Sequence, residues 1–457
     1  MVRDRMAAVT RSGILGIKLN HPAQVVATSF ALAIAAGTAL LMLPFATITG
    51  HSTGPMTALF TATSAICVTG LSTVDTATYW SGFGQVVIMG LIQLGGFGIM
   101  TLASLAAVLV SRKLGLRSRL LARTETGALD LGDVRLVLRG VIRFTVLFEV
   151  ATAVVLGLRF WLAYDEAFPR SIWLGVFHAI SAFNNAGFAL FSDNLVGFAH
   201  DPLVLLTIAA AVVAGGLGFP VWLELTHERF RWKRWSLHTK LTIAMTVLLL
   251  VAGAASFLAF EWDNPLTLGP LDGPDTFVNG VFGSVTPRTA GFNSIDYGAA
   301  NPETVLSTVL LMFVGGGPAG TAGGIKVTTA AVIGLMVWAE LRGDPDVSRF
   351  GRRIPPTAQR QALSVVVIGL AALFAGNMML IALSPYDIGV TLFEAASAFG
   401  TVGLTTGITP TLGDPAQLVL IVLMFVGRVG PLTLGTALVL RERERLFRFP
   451  EERPIIG

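Results

Sequence analysis

Four short stretches end in glycine: Ser64-Ala65-Ile66-Cys67-Val68-Thr69-Gly70, Ser181-Ala182-Phe183-Asn184-Asn185-Ala186-Gly187, Thr286-Pro287-Arg288-Thr289-Ala290-Gly291 and Ser397-Ala398-Phe399-Gly400-Thr401-Val402-Gly403. They recur at intervals of 104 to 117 residues, each with a small or β-branched residue before the glycine and a bulky apolar one after it. Their chemistry would be that of the backbone. Glycine reaches dihedrals closed to other residues, and carbonyl oxygens turned to a common axis replace the hydration shell of an alkali cation. A second glycine cluster follows each stretch 24 to 28 residues on: Gly95-Gly96-Phe97-Gly98, Gly215-Gly216-Leu217-Gly218, Gly315-Gly316-Gly317 and Gly427-Arg428-Val429-Gly430. One glycine in an apolar segment is ordinarily a close-packing site between helices. Four in register, each with the same companion, indicate four related units.

The elements that must carry these stretches lie in a membrane. The chain has 457 residues, 53% hydrophobic and only 13% charged, with a mean hydropathy of +0.71. Soluble domains carry about 25% charged residues, so a soluble enzyme, a nucleic-acid binder and a disordered scaffold are all poor readings. The single Cys67 and six scattered histidines offer no disulfide framework and no thiolate or histidine metal site. About 20 apolar residues cross a bilayer, and eight stretches qualify: 23–45, 85–110, 136–158, 202–223, 238–260, 304–338, 361–383 and 416–440.

Charge gives this array a direction. Basic residues gather in alternate connections: Arg112, Lys113, Arg117, Arg119, Arg123 and Arg135; Arg229, Arg231, Lys233, Arg234 and Lys240; Arg342, Arg349, Arg352, Arg353 and Arg360. The other connections hold acids such as Asp75, Asp201, Glu261, Asp275 and Asp387, with only Arg170 and Arg288 as cations. The positive-inside rule makes the basic loops cytoplasmic. The arm and tail are basic too, so both termini lie inside, as an even number of crossings requires. The expected fold is an all-α polytopic membrane protein in four pseudo-fourfold repeats. Each repeat is an outer helix, a re-entrant pore helix, a filter stretch and an inner helix. The boundaries are a cytoplasmic arm 1–20, repeats 21–115, 116–230, 231–345 and 346–440, and a cytoplasmic tail 441–457.

Gly315 to Gly324 interrupts a stretch of apolar residues longer than one span needs. The six glycines Gly315, Gly316, Gly317, Gly320, Gly323 and Gly324, with Pro318, cannot continue a helix, so two half-helices should flank an unwound loop, 314–326, at membrane depth. Lys326 and Arg428 are ionisable groups in apolar surroundings and functional candidates for that reason. Snorkelling to the interface is the equal alternative for Lys326, whereas Arg428 lies deeper and fits a gate element. Arg288 would repel cations if it faced a pore; it is expected to point behind the filter, toward pore-helix carbonyls or an acidic partner.

On these residues the chain resembles the Trk/Ktr/HKT superfamily of potassium transporters, in which one subunit fuses four potassium-channel-like units; length and span count are most similar to the bacterial KtrB-type subunit. The resemblance rests on the four glycine stretches, on Val314 to Lys326 and on Arg428. It implies a filter of Val68-Thr69-Gly70, Asn185-Ala186-Gly187, Thr289-Ala290-Gly291 and Thr401-Val402-Gly403, a gate at the 314–326 loop with Lys326 and Arg428, and potassium as the transported ion. Gly70 argues against the serine variant of sodium-conducting plant relatives. The resemblance further implies gated potassium uptake across a bacterial cytoplasmic membrane, a homodimer in membrane lipid, and a cytosolic nucleotide-binding ring of the KtrA type. Sodium as an activator, or a TrkH-like proton- or sodium-linked symport, stays open.

Rival readings fare worse. Gly315-Gly316-Gly317-Pro318-Ala319-Gly320 matches a dinucleotide fingerprint with Glu340 at the right distance, yet no strand precedes it. Ile325 before Lys326 breaks the P-loop pattern. His178 and Ser181 sit one turn apart without a positioned acid, so no enzyme is expected. A secondary transporter of an organic solute would show two inverted repeats around a polar pocket.

Overall fold

The computed structural model describes residues 22–113, 134–229, 231–440 and Glu452. The basic arm, the basic tail and most of the first basic loop lie outside these residues. The described α-helices longer than one turn are α1 Pro22–Leu41, α2 Pro55–Ile66, α3 Gly82–Lys113, α4 Val134–Ala163, α5 Phe168–Phe183, α6 Pro202–Leu217, α7 Phe219–Glu228, α8 Leu237–Glu261, α9 Gly273–Val285, α10 Pro302–Phe313, α11 Val327–Arg342, α12 Pro356–Leu383, α13 Ile388–Gly400 and α14 Asp414–Leu440. The fold is mostly helical. The strands among the described residues are β1 Ser348–Arg349 and β2 Arg352–Arg353, a hairpin with Ser348 opposite Arg353.

Two kinds of helix are layered inside out relative to a soluble protein. α2, α5, α9 and α13 have 12, 16, 13 and 13 residues, too few to cross a bilayer. Proline in the first turn starts α2, α5 and α9, where its missing N–H costs nothing. Their C-terminal halves are almost wholly buried. The long helices surround them and expose apolar side chains such as Leu147, Val251 and Met378. Four of these windows, in α1, α4, α8 and α12, are long and apolar enough to cross a membrane, and only 17–28% of each is buried. Such a surface suits lipid and would be insoluble in water.

Each short helix packs on the long helix that precedes it: α1 with α2, α4 with α5, α8 with α9, and α12 with α13. Between these groups, α3 meets α4 and α5, α6 meets α8 and α9, and α10 meets α13. The last helix, α14, returns to α1 and α2. The chain therefore closes on itself around the four short helices.

Two long stretches are broken. The stretch expected to cross as 202–223 bends by 94° between α6 and α7. Gly218 takes φ +91 there, and Pro220 follows it; the glycine was visible, but its service as a hinge was not expected. The second break, between α10 and α11, falls where the glycines predict it.

Buried carboxylates fasten the loops. Asp201 caps α6 by accepting from the N–H groups of Leu203 and Val204, and it accepts from Arg159 Nε at 2.8 Å and Tyr164 Oη at 2.9 Å. Burial works to raise its pKa, but these donors outweigh it and hold the carboxyl below its ordinary range. A depressed carboxylate contributes stability at neutral pH and loses it as pH falls through its folded value. Asp201→Asn is thus expected to lower the unfolding midpoint by on the order of a few degrees at pH 7, with the gap to wild type closing in acid, as thermal unfolding in detergent at a series of pH values would measure.

Candidate ion pathway

The four glycine stretches follow the four short helices and meet at one place. Each combines a left-handed residue with a left-handed glycine two positions on: Val68 (φ 57) with Gly70 (φ 98), Asn185 (60) with Gly187 (71), Thr289 (70) with Gly291 (74), and Thr401 (50) with Gly403 (99). Left-handed backbone is costly for a β-branched residue such as Val68, Thr289 or Thr401, so the surroundings must enforce it. Local bonds do so. The amides of Thr69, Ala186 and Val402 donate to the carbonyls of Ser64, Ser181 and Ser397 at 2.7–2.8 Å, and those of Ala290 and Gly291 donate to Thr286. The N–H groups of Gly70 and Gly403 each donate to the hydroxyl of the serine six residues back, at 3.0 Å.

The stretches form a closed ring in chain order. A β-carbon on Gly70 would lie 3.1 Å from the Cα of Gly187, and one on Gly187 2.8 Å from that of Gly291. One on Gly291 would lie 3.1 Å from Gly403, and one on Gly403 3.1 Å from Gly70. No side chain fits at any of the four positions. The hydroxyls of Thr69, Thr289 and Thr401 are buried without a hydrogen-bond partner, so uncharged oxygen is in excess here and no acidic side chain belongs to the twelve residues. The second glycine clusters serve the same packing. β-carbons on Gly95, Gly215 and Gly427 would collide with the carbonyls of Ile66, Phe183 and Phe399, each four residues before a ring glycine.

The third cluster opens instead into the loop 314–326, which lies against the ring and the neighbouring helices. Gly315 N–H donates to Ile325 O at 2.8 Å and Val327 N–H to Gly316 O at 3.0 Å, clipping the loop's two ends together. Gly317 and Thr321 donate to the carbonyls of Gly216 and Gly215 on α6. Thr321 Oγ1 donates to Phe183 O at 3.1 Å, and the amide nitrogen of Asn185 faces Thr321 Oγ1 at 2.8 Å. A β-carbon on Gly323 would lie 3.0 Å from Cβ of Thr401, and one on Gly315 3.2 Å from Cγ2 of Thr289. The loop thus touches three of the four ring stretches.

The cations cluster around this loop. Arg428, on α14, is buried; its guanidinium donates to Thr321 O and, at 3.1 Å, to Gly95 O on α3. Lys326 does not reach outward: its ammonium donates to Ala322 O at 2.6 Å, inside the loop. Arg288 is buried behind the third stretch, but its partners differ from the expected ones. It donates to Thr246 O on α8 and Gly315 O, both at 3.3 Å, with no carboxylate and no pore-helix carbonyl among them. The sequence could not show that α8 and the hinge of the loop would supply these oxygens.

Three contributors were missed by sequence reasoning. Glu394, buried in α13, accepts from Thr406 N–H at 3.0 Å, Thr409 Oγ1 at 2.8 Å and Thr405 Oγ1, fastening the segment after the fourth glycine. Glu149 stands in the middle of α4 beside Asn184 and Gln93. Thr321 joins loop to ring. The two glutamates within apolar helices were the available signal. His178 and Ser181 hold structure: Ser181 Oγ donates to Phe188 O, and His178 is bonded to Leu174 O and Leu190 N–H.

A model of the TrkH family, described as a cation transport protein, matches residues 7–448. The chain belongs to the TrkH family of cation transport proteins. It is a transport protein and not an enzyme. The chain is 42% identical over 439 residues to the Ktr system potassium uptake protein B of Bacillus subtilis, covering 95% of this chain and 97% of that one. It is 37% identical to the potassium/sodium uptake protein NtpJ of Enterococcus hirae, with 96% and 98% covered. Its fold matches the crystal structure of the potassium transporter TrkH from Vibrio parahaemolyticus at a TM-score of 0.69 and 20% identity, over 93% of this chain and 86% of the other.

Replacing Arg428 by Gln removes the charge and a bond to Thr321 O or Gly95 O, each worth about 1–3 kcal/mol when a buried carbonyl loses a charged donor. The amides of the 314–326 loop are expected to exchange on the order of tenfold faster in Arg428→Gln, with helix amides of α8 unchanged, as hydrogen exchange with mass spectrometry would resolve.

Proposed function

We propose that this chain is the channel-like, ion-translocating subunit of a Ktr-type system that takes up potassium across the bacterial cytoplasmic membrane. The observation that carries the reading is the closed ring of four glycines with left-handed backbone, in which neutral oxygens surround an axis too tight for any β-carbon. Backbone carbonyls suit a dehydrated alkali cation, whereas anions and organic solutes need donors or a shaped pocket. The names of the Bacillus and Enterococcus relatives favour the same substrate.

In this reading the chain crosses the membrane eight times as four pseudo-fourfold units, with α10 and α11 as one broken crossing and α6 and α7 as one bent crossing. Val68 to Gly70, Asn185 to Gly187, Thr289 to Gly291 and Thr401 to Gly403 form the selectivity filter. The loop 314–326 obstructs the path beneath it. Arg428 holds the loop through Thr321 and adds a positive charge on the route of a cation, and Lys326 pins the loop's own carbonyl. Opening requires these bonds to part. Arg288 supports the third filter stretch by tying α8 to Gly315.

Both termini face the cytoplasm, two copies associate in the membrane, and a cytosolic nucleotide-binding ring on the basic face supplies the work of moving the loop. No nucleotide site is needed in this chain. The membrane potential drives the ion, at about 2.3 kcal/mol per charge per 100 mV. Sodium acts as a co-ion or activator in the same pathway, a reading that the potassium/sodium uptake protein of Enterococcus favours.

Expressed with a ring partner in a host stripped of its own potassium uptake, the chain is expected to restore growth at low potassium and to take up rubidium. A well-expressed chain that does neither would refute the proposal. Gly70→Ser places a side chain at φ +98 against Gly187; potassium-over-sodium preference is expected to fall by roughly tenfold, about 1.4 kcal/mol, in competition uptake assays.

A further inference from the structure

Glu149 is a carboxyl at the midpoint of a membrane-crossing helix, and no cation pairs with it among the described residues. Ionisable groups at this depth are rare and are kept for function. Its partners are two amides. Gln93 Nε2 on α3 faces Oε2 at 3.3 Å, and Asn184 Nδ2, at the end of α5, faces Oε1 at 3.0 Å. The same Asn184 nitrogen also lies 2.9 Å from Gln93 Oε1 and 2.9 Å from Ile180 O. An amide nitrogen has two hydrogens, so three acceptors compete for two protons. Asn184 Oδ1, meanwhile, has no partner at all. Turning the amide over would only set an oxygen against the same three acceptors. A proton on Glu149 eases the shortage, because the neutral carboxyl is a weaker competitor and the two Asn184 protons can then serve Ile180 O and Gln93 Oε1.

The surroundings leave no other titrating group in contact. Helices α3, α5 and α6 pack on α4. The described part of α3 offers Gln93; α5 carries Arg170, paired with Glu166, and His178, bonded to backbone on both ring nitrogens. Asp201 at the start of α6 is held by Arg159 and Tyr164, and Glu224 on α7 by Ser236 and Thr239. Arg139 and Arg143 lie on α4 itself, toward its start. Phe148 and Phe183, the residues before Glu149 and Asn184, belong to an aromatic cluster with Phe144 and Trp222, ring centroids 4.6–6.0 Å apart.

Asn184 is the residue before Asn185, and Asn185 meets Thr321, whose carbonyl receives Arg428. We propose that Glu149 is a proton-binding group that positions the second filter stretch and, through Asn185 and Thr321, biases the 314–326 loop. In the neutral form the Asn184 amide serves Ile180 and Gln93 and keeps the end of α5 closed on itself. In the ionised form the carboxylate draws that amide away from Ile180 and loosens the stretch. An ion passes the ring only while the second stretch is ordered, so acid favours conduction and alkali opposes it. Glu149 touches no permeating ion, so it acts as a positioning residue, and the inference rests on the transport reading above.

The test is rubidium uptake by the full chain with its ring partner in proteoliposomes at a fixed potential, with equal pH on both sides, from about pH 5 to about pH 8.5. Wild type is expected to slow by about fivefold or more across this range, and Glu149→Gln to stay within about twofold of its acid rate throughout. Gln93→Leu, which leaves the carboxyl titratable but removes a donor from its charged form, should move the midpoint upward by about half a unit or more. Infrared difference spectra between the two extremes should contain a protonated-carboxyl band that Glu149→Gln lacks, a readout that does not depend on transport. Uptake that is present but flat with pH in wild type, or a Glu149→Gln profile parallel to wild type, would overturn this inference alone. No uptake at any pH would overturn the transport reading and this inference with it.

Discussion

At the axis of this protein there is no room for a β-carbon. Four glycines abut one another in a cycle, and each is reached through a residue whose backbone is also left-handed. Both conditions are expensive for an isolated peptide. They hold because four short buried helices lead into the same ring, because serine hydroxyls and carbonyls catch the next amides, and because the second glycines let the long helices press against the helix ends. The outer layer is arranged to bring these four ends together.

The loop that lies against the ring is made of the same material. A helix that continued through 314–326 would have kept its own amides satisfied and touched the ring nowhere. Glycines at six positions release those amides and carbonyls, and the freed groups bond to α6 and Arg428 instead, while the Thr321 hydroxyl reaches α5. The loop is held by several hydrogen bonds and by two buried arginines, Arg428 at Thr321 O and Arg288 at Gly315 O.

The parts legible in the sequence were those governed by composition and by glycine. The run of Gly315 to Gly324 declared the break between α10 and α11, and the four stretches ending at Gly70, Gly187, Gly291 and Gly403 declared their common place. Tertiary bonds were not legible. Arg288 had to be near something anionic or carbonyl-rich, but only the packing of α8 against α10 and α11 identifies Thr246 and Gly315. Glu149 was passed over as one charge in a basic-flanked span, because its partners stand 56 and 35 residues away. The bend at Gly218 was hidden within a stretch apolar enough to read as one helix.

The four ring stretches are encoded at separate positions of one chain, which has a consequence for variation. In a pore built from four identical subunits, any change at the axis arrives fourfold. Here a single codon change alters one quarter of the ring and leaves three quarters as they were. The asparagine at 185, where the other stretches carry valine or threonine, is a change of that kind. It places an amide opposite Thr321 in one unit only, so ring and loop are joined through a residue that a symmetric pore could not have acquired without fitting it four times.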